Sequence, residues 1–462
     1  MKSRHRGRRW LAAMAVAGAA MTSSCALIDP MNMLGRQSEE PPAMAATPVP
    51  PVASGRLGTE ERLRAFDFVW HTIDTRYHDP NFNGVDWRAV GERYRPLALA
   101  APDDDAFWDV LDRMTGELRD AHTRVESPKR VALRKSDESV SLGLAFQPVE
   151  GALAVTAVNP EADAWWAGVR PGMTIVAIDG QPAWTVYDRL RAEVRHDSTD
   201  RATQMQALRK LVYGAIGTKV AFTFQRADGT RFEALLARRK LALHATESHR
   251  VLPSGYGYLR FSRWSLTLAA RALGALDDLH NAPGLIIDLR GNPGGAVHAV
   301  NLLLSRFFTQ RTELGHATTR TGAPVALFLG ALEIIQLKRV VEGDPNAYRG
   351  PVVILVNGQS ASGSELFAGS MQAVGRAKVV GEPSCGCLLG FLGYARIPGG
   401  ADLAYSEVGF VLANGHKVEG EGVIPDDPVP LSLADLRLGR DRALEEAQAL
   451  LARMAAAPSP PR

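Results

Sequence analysis

Two short runs of continuous apolar residues constrain this chain more than any other feature: PGLIIDLR (283–290) and PVVILVN (351–357). Each is followed by a glycine- or serine-rich turn, RGNPGG or NGQSASGSE, and then by a helix-capable segment. Strands that are apolar throughout are covered on both faces, and their alternation with helices predicts an α/β sheet with parallel strands. In such sheets active sites lie beyond the carboxyl ends of the strands, where both turns fall.

At 462 residues the chain is expected to hold two or three folded units. The formal net charge is +3, and Lys2, Arg4, Arg6, Arg8 and Arg9 supply much of it, so the body is near neutral and no broad nucleic-acid surface is expected. The basic start leads into an apolar run, Trp10 to Met21, and then Thr22-Ser23-Ser24-Cys25. This reads as an export signal over 1–25, too short to span a membrane permanently. A cysteine after small residues resembles a bacterial lipoprotein signal, which implies lipidation at Cys25 and a membrane-anchored, periplasm-facing protein. Arg8-Arg9 also faintly resembles a twin-arginine signal. Residues 26–58, rich in Pro, Ala, Met and Ser, read as a flexible tether. The other cysteines are Cys385 and Cys387, so a lipidated Cys25 leaves no long-range disulfide framework. A bridge between those two, across a single glycine, is expected to be strained, though an oxidising compartment permits it, and reducing agents are expected to change activity little. No zinc-ligand spacing and no HExxH occurs, and no metal or organic cofactor is expected.

From 59 to 135 the apolar spacing is helical, with Leu63, Phe66, Val69 and Ile73 and then Trp108, Leu111 and Met114 predicting a small helical domain. From 138 to 240, SLGLAFQPVEGALAVTAV and KVAFTFQRADGTRFEALL read as hairpins turning at Glu150-Gly151 and Asp228-Gly229. This segment resembles a PDZ domain. The resemblance implies that the backbone of Leu142, Gly143 and Leu144 holds a peptide C-terminal carboxylate, with the peptide added along the strand edge. Residues 250–456 form the α/β unit, in which RIPGGADLAY and FVLANGHKVEG are expected as hairpins and 433–456 as a closing helix. Residues 457–462 are expected as a frayed tail.

A serine hydroxyl needs a base to remove its proton and donors to stabilise an oxyanion. Ser362 follows a buried strand and turn and opens a helix, whose N-terminus offers free amides and a positive dipole end. N-capping alone also explains a serine there. Gly294 and Gly295 of RGNPGG offer further backbone amides. No Gly-Lys-Ser/Thr follows that turn, which argues against a phosphate loop.

LIIDLRGNPGG, PVVILVNGQSASGSELFAGSMQ, GRAKVVGEP and VEGEGVIPD, in this order behind LRDAHTRV and a PDZ-like unit, resemble the C-terminal-processing (tail-specific) serine peptidase family. The resemblance covers about Glu60 to Leu433. It implies Ser362 as nucleophile, Ser360 and Ser364 as structural, and oxyanion donors from Gly294, Gly295 and Gly363. The Ser-Lys branch has a lysine where this chain has Cys387, and a neutral thiol carries no positive charge to replace it, which leaves a different base, a redox role for Cys385 and Cys387, or a dead enzyme. The tricorn-core and retinoid-binding-protein-like branch is the closer pattern. It implies His122 as the base, with Glu419 or Glu421 assisting. The function implied is hydrolysis of peptide bonds in protein or peptide substrates. A catalytically inactive peptide-binding lipoprotein of the same fold is the alternative.

Overall fold

The computed structural model describes residues 57–135, 138–242, 246–323, 325–328, 332–335, 337–390 and 393–456. The expected signal, Cys25, most of the tether and the tail at 457–462 lie outside the described residues. Among the described residues no helix is long and apolar enough to cross a membrane.

The N-terminal unit is built from helices Thr59–Arg76, Trp87–Leu99 and Asp104–Gly116. Asp86 and Asp103 cap the second and third by accepting the Ala89 and Ala106 amides, satisfying donors that a helix start leaves free. The helical spacing read from the sequence becomes a core of Phe66, Val69, Ile73, Trp108, Leu111 and Met114. This core is shared with the distant hairpin Tyr394–Arg396/Asp402–Ala404, which pairs with strand Arg124–Glu126. The end of the helical unit is thereby fixed to the C-terminal part of the chain.

Strands Leu144–Val149 and Ala152–Val158 form the hairpin expected at Glu150-Gly151, and Lys219–Gln225 pairs with Arg231–Ala237 around Asp228-Gly229. With Thr174–Ile178 between them they make a sheet over Leu153, Val155, Phe222 and Phe224, closed by helices Ala183–Glu193 and Asp200–Val212.

The α/β unit carries a six-stranded sheet ordered Glu247–Val251, Gly257–Phe261, Leu285–Asp288, Val352–Val356, Lys378–Gly381 and Asp427–Pro428. The first pair is antiparallel and the rest are parallel. Because side chains alternate along a strand, Leu285, Ile287, Val352 and Ile354 pack on helices Leu266–Asp278, Val297–Ser305 and Gly363–Ala373. Ile286, Val353 and Leu355 face Ala447 and Leu451 of helix Arg442–Ala456. Both faces are covered, which is why these strands read as uninterrupted apolar runs.

Two local expectations are corrected. FVLANGHKVEG is not a hairpin: only Val408–Leu412 is a strand, and it pairs with Thr312–Thr319 and Leu389–Gly390. Gly415, Gly420 and Gly422 all have positive φ and turn the chain repeatedly, so it never runs back as a second strand. The closing helix is two helices, Leu433–Leu438 and Arg442–Ala456, broken where Gly439 adopts φ 63°.

Candidate active site

Ser362 follows strand Val352–Val356 and caps helix Gly363–Ala373, with φ 51° and ψ −113°. A non-glycine residue held there costs on the order of 1–3 kcal/mol and persists only where surrounding contacts determine it. Those contacts are present. The Ser362 amide donates to Glu365 Oε2 (2.9 Å) and to the Cys387 carbonyl (3.1 Å). Ser360 donates its hydroxyl to the Leu289 carbonyl, and Ser364 bridges Trp264 Nε1 and the Asn292 carbonyl. The three serines of the cluster therefore divide the work, and only Ser362 faces an imidazole.

That imidazole is His122, 240 residues earlier, with Nε2 3.3 Å from Ser362 Oγ. It sits on the short loop between helix Asp104–Gly116 and strand Arg124–Glu126, and the loop is held from two sides. Asp120 accepts the His122 amide (2.8 Å) and the Thr123 hydroxyl (2.5 Å). Buried Arg195 donates to the carbonyls of Asp120, Ala121 and Thr123, and Ser198 Oγ accepts the Ala121 amide. Burial is the main cause holding the His122 pKa below its ordinary value; Asp120 opposes this and Arg124 adds to it. A neutral imidazole in hydrogen-bond reach of a hydroxyl can accept its proton and return it to a leaving group.

The turn Asn292–Gly295 lies against the nucleophile. A Cβ at Gly294 would stand 2.7 Å from the Ser362 Cβ and 2.6 Å from the Ala361 carbonyl oxygen, so only glycine allows the approach. One expectation changes here: the Gly294 amide is taken by Asn292 Oδ1 (3.0 Å), so it is not a free oxyanion donor. The amides of Gly295 and Gly363 have no acceptor among the described residues, and a Cβ on Gly363 would lie 3.3 Å from the Gly295 nitrogen. Arg290 is anchored to Asp288 and Asp441 and holds the turn in place.

Glu419 and Glu421 separate clearly. Glu419 Oε2 accepts the Leu388 amide (2.5 Å), and burial, with the Asp120 and Glu365 charges adding to it, pushes its carboxyl well above the usual range. Glu421 is exposed, with its carboxylate 3.6 Å from His416, and it is held through its backbone, the amide on the Val418 carbonyl and the carbonyl by Arg201.

The loop Ser141–Leu144 has its amides occupied in the same way as Gly294. The Leu142 amide donates to the Val212 carbonyl (3.1 Å) and the Gly143 amide to Ser141 Oγ (3.2 Å). Leu142 and Leu144 are buried, and a Cβ on Gly143 would stand 2.2 Å from Ala162 Cβ. Two of the three amides expected to hold a carboxylate are already satisfied.

Sequence reasoning missed Glu365. It is fully buried and accepts four donors: the Ser362 and Cys387 amides on one oxygen, the Gly386 amide and Ser384 hydroxyl on the other. Burial pushes its carboxyl up to about 7, with those donors pulling the other way. Its signal was legible: a serine followed three residues later by glutamate at a helix start is the capping-box pattern. Asp120, Arg195 and Ser198 carried no comparable signal.

A strained serine at a strand-to-helix turn, facing an imidazole beside open backbone amides, is the arrangement of a serine hydrolase. The class follows from comparison: residues 255–429 match peptidase family S41 and residues 59–116 match the tricorn protease C1 domain. The chain therefore carries a family S41 serine peptidase domain behind a tricorn C1 domain. It is similar to the carboxyl-terminal-processing protease of Synechocystis sp., 26% identical over 395 residues, covering 83% of this chain and 85% of the relative. It is also similar to tricorn protease homolog 1 of Streptomyces coelicolor, 27% identical over 417 residues, covering 84% of this chain. The chain spans only 35% of that longer relative. Among solved structures, mature CPAF superposes with a TM-score of 0.68 at 16% identity, covering 86% of this chain and 98% of that one. The photosystem II D1 C-terminal processing protease superposes with a TM-score of 0.54 at 24% identity, covering 86% and 99%.

Proposed function

We propose that this chain is an exported serine endopeptidase that hydrolyses peptide bonds of protein or peptide substrates. The observation that carries the reading is the 3.3 Å approach of His122 Nε2 to Ser362 Oγ. His122 takes the proton as Ser362 attacks the carbonyl carbon, and the amides of Gly295 and Gly363 receive the oxyanion. His122 then protonates the leaving amine, and water attacks the acyl-enzyme by the same route in reverse. No lysine is needed, because the histidine supplies the base and Cys387 serves through its backbone. Glu419, whose carboxyl is pushed up by burial and by the Asp120 charge, sits next to the Asp120 that anchors the His122 loop. Cys25 carries a lipid and places the enzyme on the cell envelope, facing the periplasm.

Incubation with an unfolded protein, followed by mass spectrometry of the new termini, tests the reading. Internal cuts lost in Ser362→Ala and strongly reduced in His122→Ala are expected. Intact substrate with wild type would favour the inactive peptide-binding form. Lipidation is tested separately by incorporation of labelled fatty acid, expected for wild type and absent in Cys25→Ser.

A further inference from the structure

Cys385 and Cys387 are joined by a disulfide, and all six backbone polar groups of Cys385-Gly386-Cys387 are hydrogen-bonded. The Cys387 carbonyl accepts the Ser362 amide, and the Cys385 amide donates to the Ser360 carbonyl. The Gly386 and Cys387 amides both donate to Glu365, the carboxylate that also holds the Ser362 amide. The Cys385 carbonyl accepts the Thr199 hydroxyl (2.6 Å), and the Gly386 carbonyl accepts the Gly420 amide next to Glu419. Both sulfur-bearing residues are buried, packed with Ala202 and flanked by Ala121, the neighbour of His122, and Ala361, the neighbour of Ser362. Gly386 has φ 76°, and a Cβ there would stand 2.5 Å from Thr199 Cγ2, so the glycine between the cysteines is required as well.

We propose that the Cys385–Cys387 bridge is the positioning element for the nucleophile, fixing the tripeptide whose amides hold Glu365 and whose carbonyl holds the strained Ser362 backbone. It rests on the reading of Ser362 as nucleophile, and it revises the expectation that reducing agents matter little. The lysine position of the Ser-Lys relatives is here turned from a base into a staple. An unconstrained tripeptide has more conformations available, and the six hydrogen bonds then no longer agree on one Ser362 geometry. Reduction is a balanced exchange. A dithiol attacks as thiolate, passes through a mixed disulfide and leaves as its own disulfide, so two electrons and two protons reach Cys385 and Cys387 as thiols.

The test compares the full chain with Cys385→Ala/Cys387→Ala by hydrogen exchange, fluorophosphonate labelling rate and peptide hydrolysis. Faster exchange confined to 358–366 and 384–388 is expected, with labelling and kcat down at least about tenfold and KM changed less than about threefold. If the double variant does not fold, wild type reduced in place, with both thiols confirmed by alkylation and mass, is read in the same way. Unchanged exchange at Ser362 and an unchanged labelling rate would overturn the proposal. A wild type that takes no label, yet whose 358–366 amides lose protection when the bridge is removed, upholds the staple and overturns the peptidase reading instead.

Discussion

The loop Ser141–Leu144 and the turn Asn292–Gly295 offer similar material: glycine at positive φ and backbone amides next to a strand end. In the first, Val212 and Ser141 take two of the amides before any ligand arrives. In the second, Asn292 takes the Gly294 amide, while the Gly295 amide, with that of Gly363 next to it, has no acceptor among the described residues and lies beside a strained serine. An amide cluster becomes an anion site only where the fold withholds internal acceptors from it. The motif announces the donors; the neighbours decide whether they are available.

The comparison is broken most severely by removing the nucleophile. Ser362→Ala should abolish covalent labelling and lower hydrolysis by about a thousandfold or more, with the melting temperature little changed. His122→Ala should cost about 10²–10⁴ in kcat/KM. The sign of the pH dependence follows from burial, which favours neutral imidazole and lowers the His122 pKa. The base stays competent below the ordinary histidine value of about 6.5, and the acid limb of the wild-type labelling profile should lie under it. An acid limb above that value would contradict the assignment.

Glu365→Gln turns one acceptor oxygen into an amino group facing donors. About a tenfold loss of labelling and about 1–3 kcal/mol of stability are expected, read by labelling rate and denaturant melts. Peptides ending in a free carboxylate or in an amide should differ by less than about threefold in kcat/KM, a gap under 1 kcal/mol. A much larger preference for the carboxylate would show that the Ser141–Leu144 loop opens. The smallest effect belongs to Glu421→Gln, whose exposed carboxylate should leave activity within about twofold.

The sheet was legible because Leu285–Asp288 and Val352–Val356 are buried on both faces, and the turns after them marked the site. Ser362 and His122 came from motif positions, but their meeting depends on packing 240 residues apart that no local pattern encodes. The amides of Gly294, Leu142 and Gly143 were expected as donors to a ligand, but each has an internal acceptor, on a side chain or a distant carbonyl, that no local pattern announces. Choosing between Glu419 and Glu421 required the turns at Gly420 and Gly422, which send one carboxylate inward and the other to solvent. Glu365 was written in a recognisable cap pattern and went unread because the cap and the nucleophile share one residue.

The central claim is that His122 activates Ser362. It is tested most directly by mapping the fluorophosphonate adduct by mass spectrometry in wild type, Ser362→Ala and His122→Ala under identical conditions. A single adduct on Ser362 is expected in wild type, none in Ser362→Ala, and labelling at least about a hundredfold slower in His122→Ala. Wild type and His122→Ala labelling at the same rate, or an adduct on another residue, would contradict it.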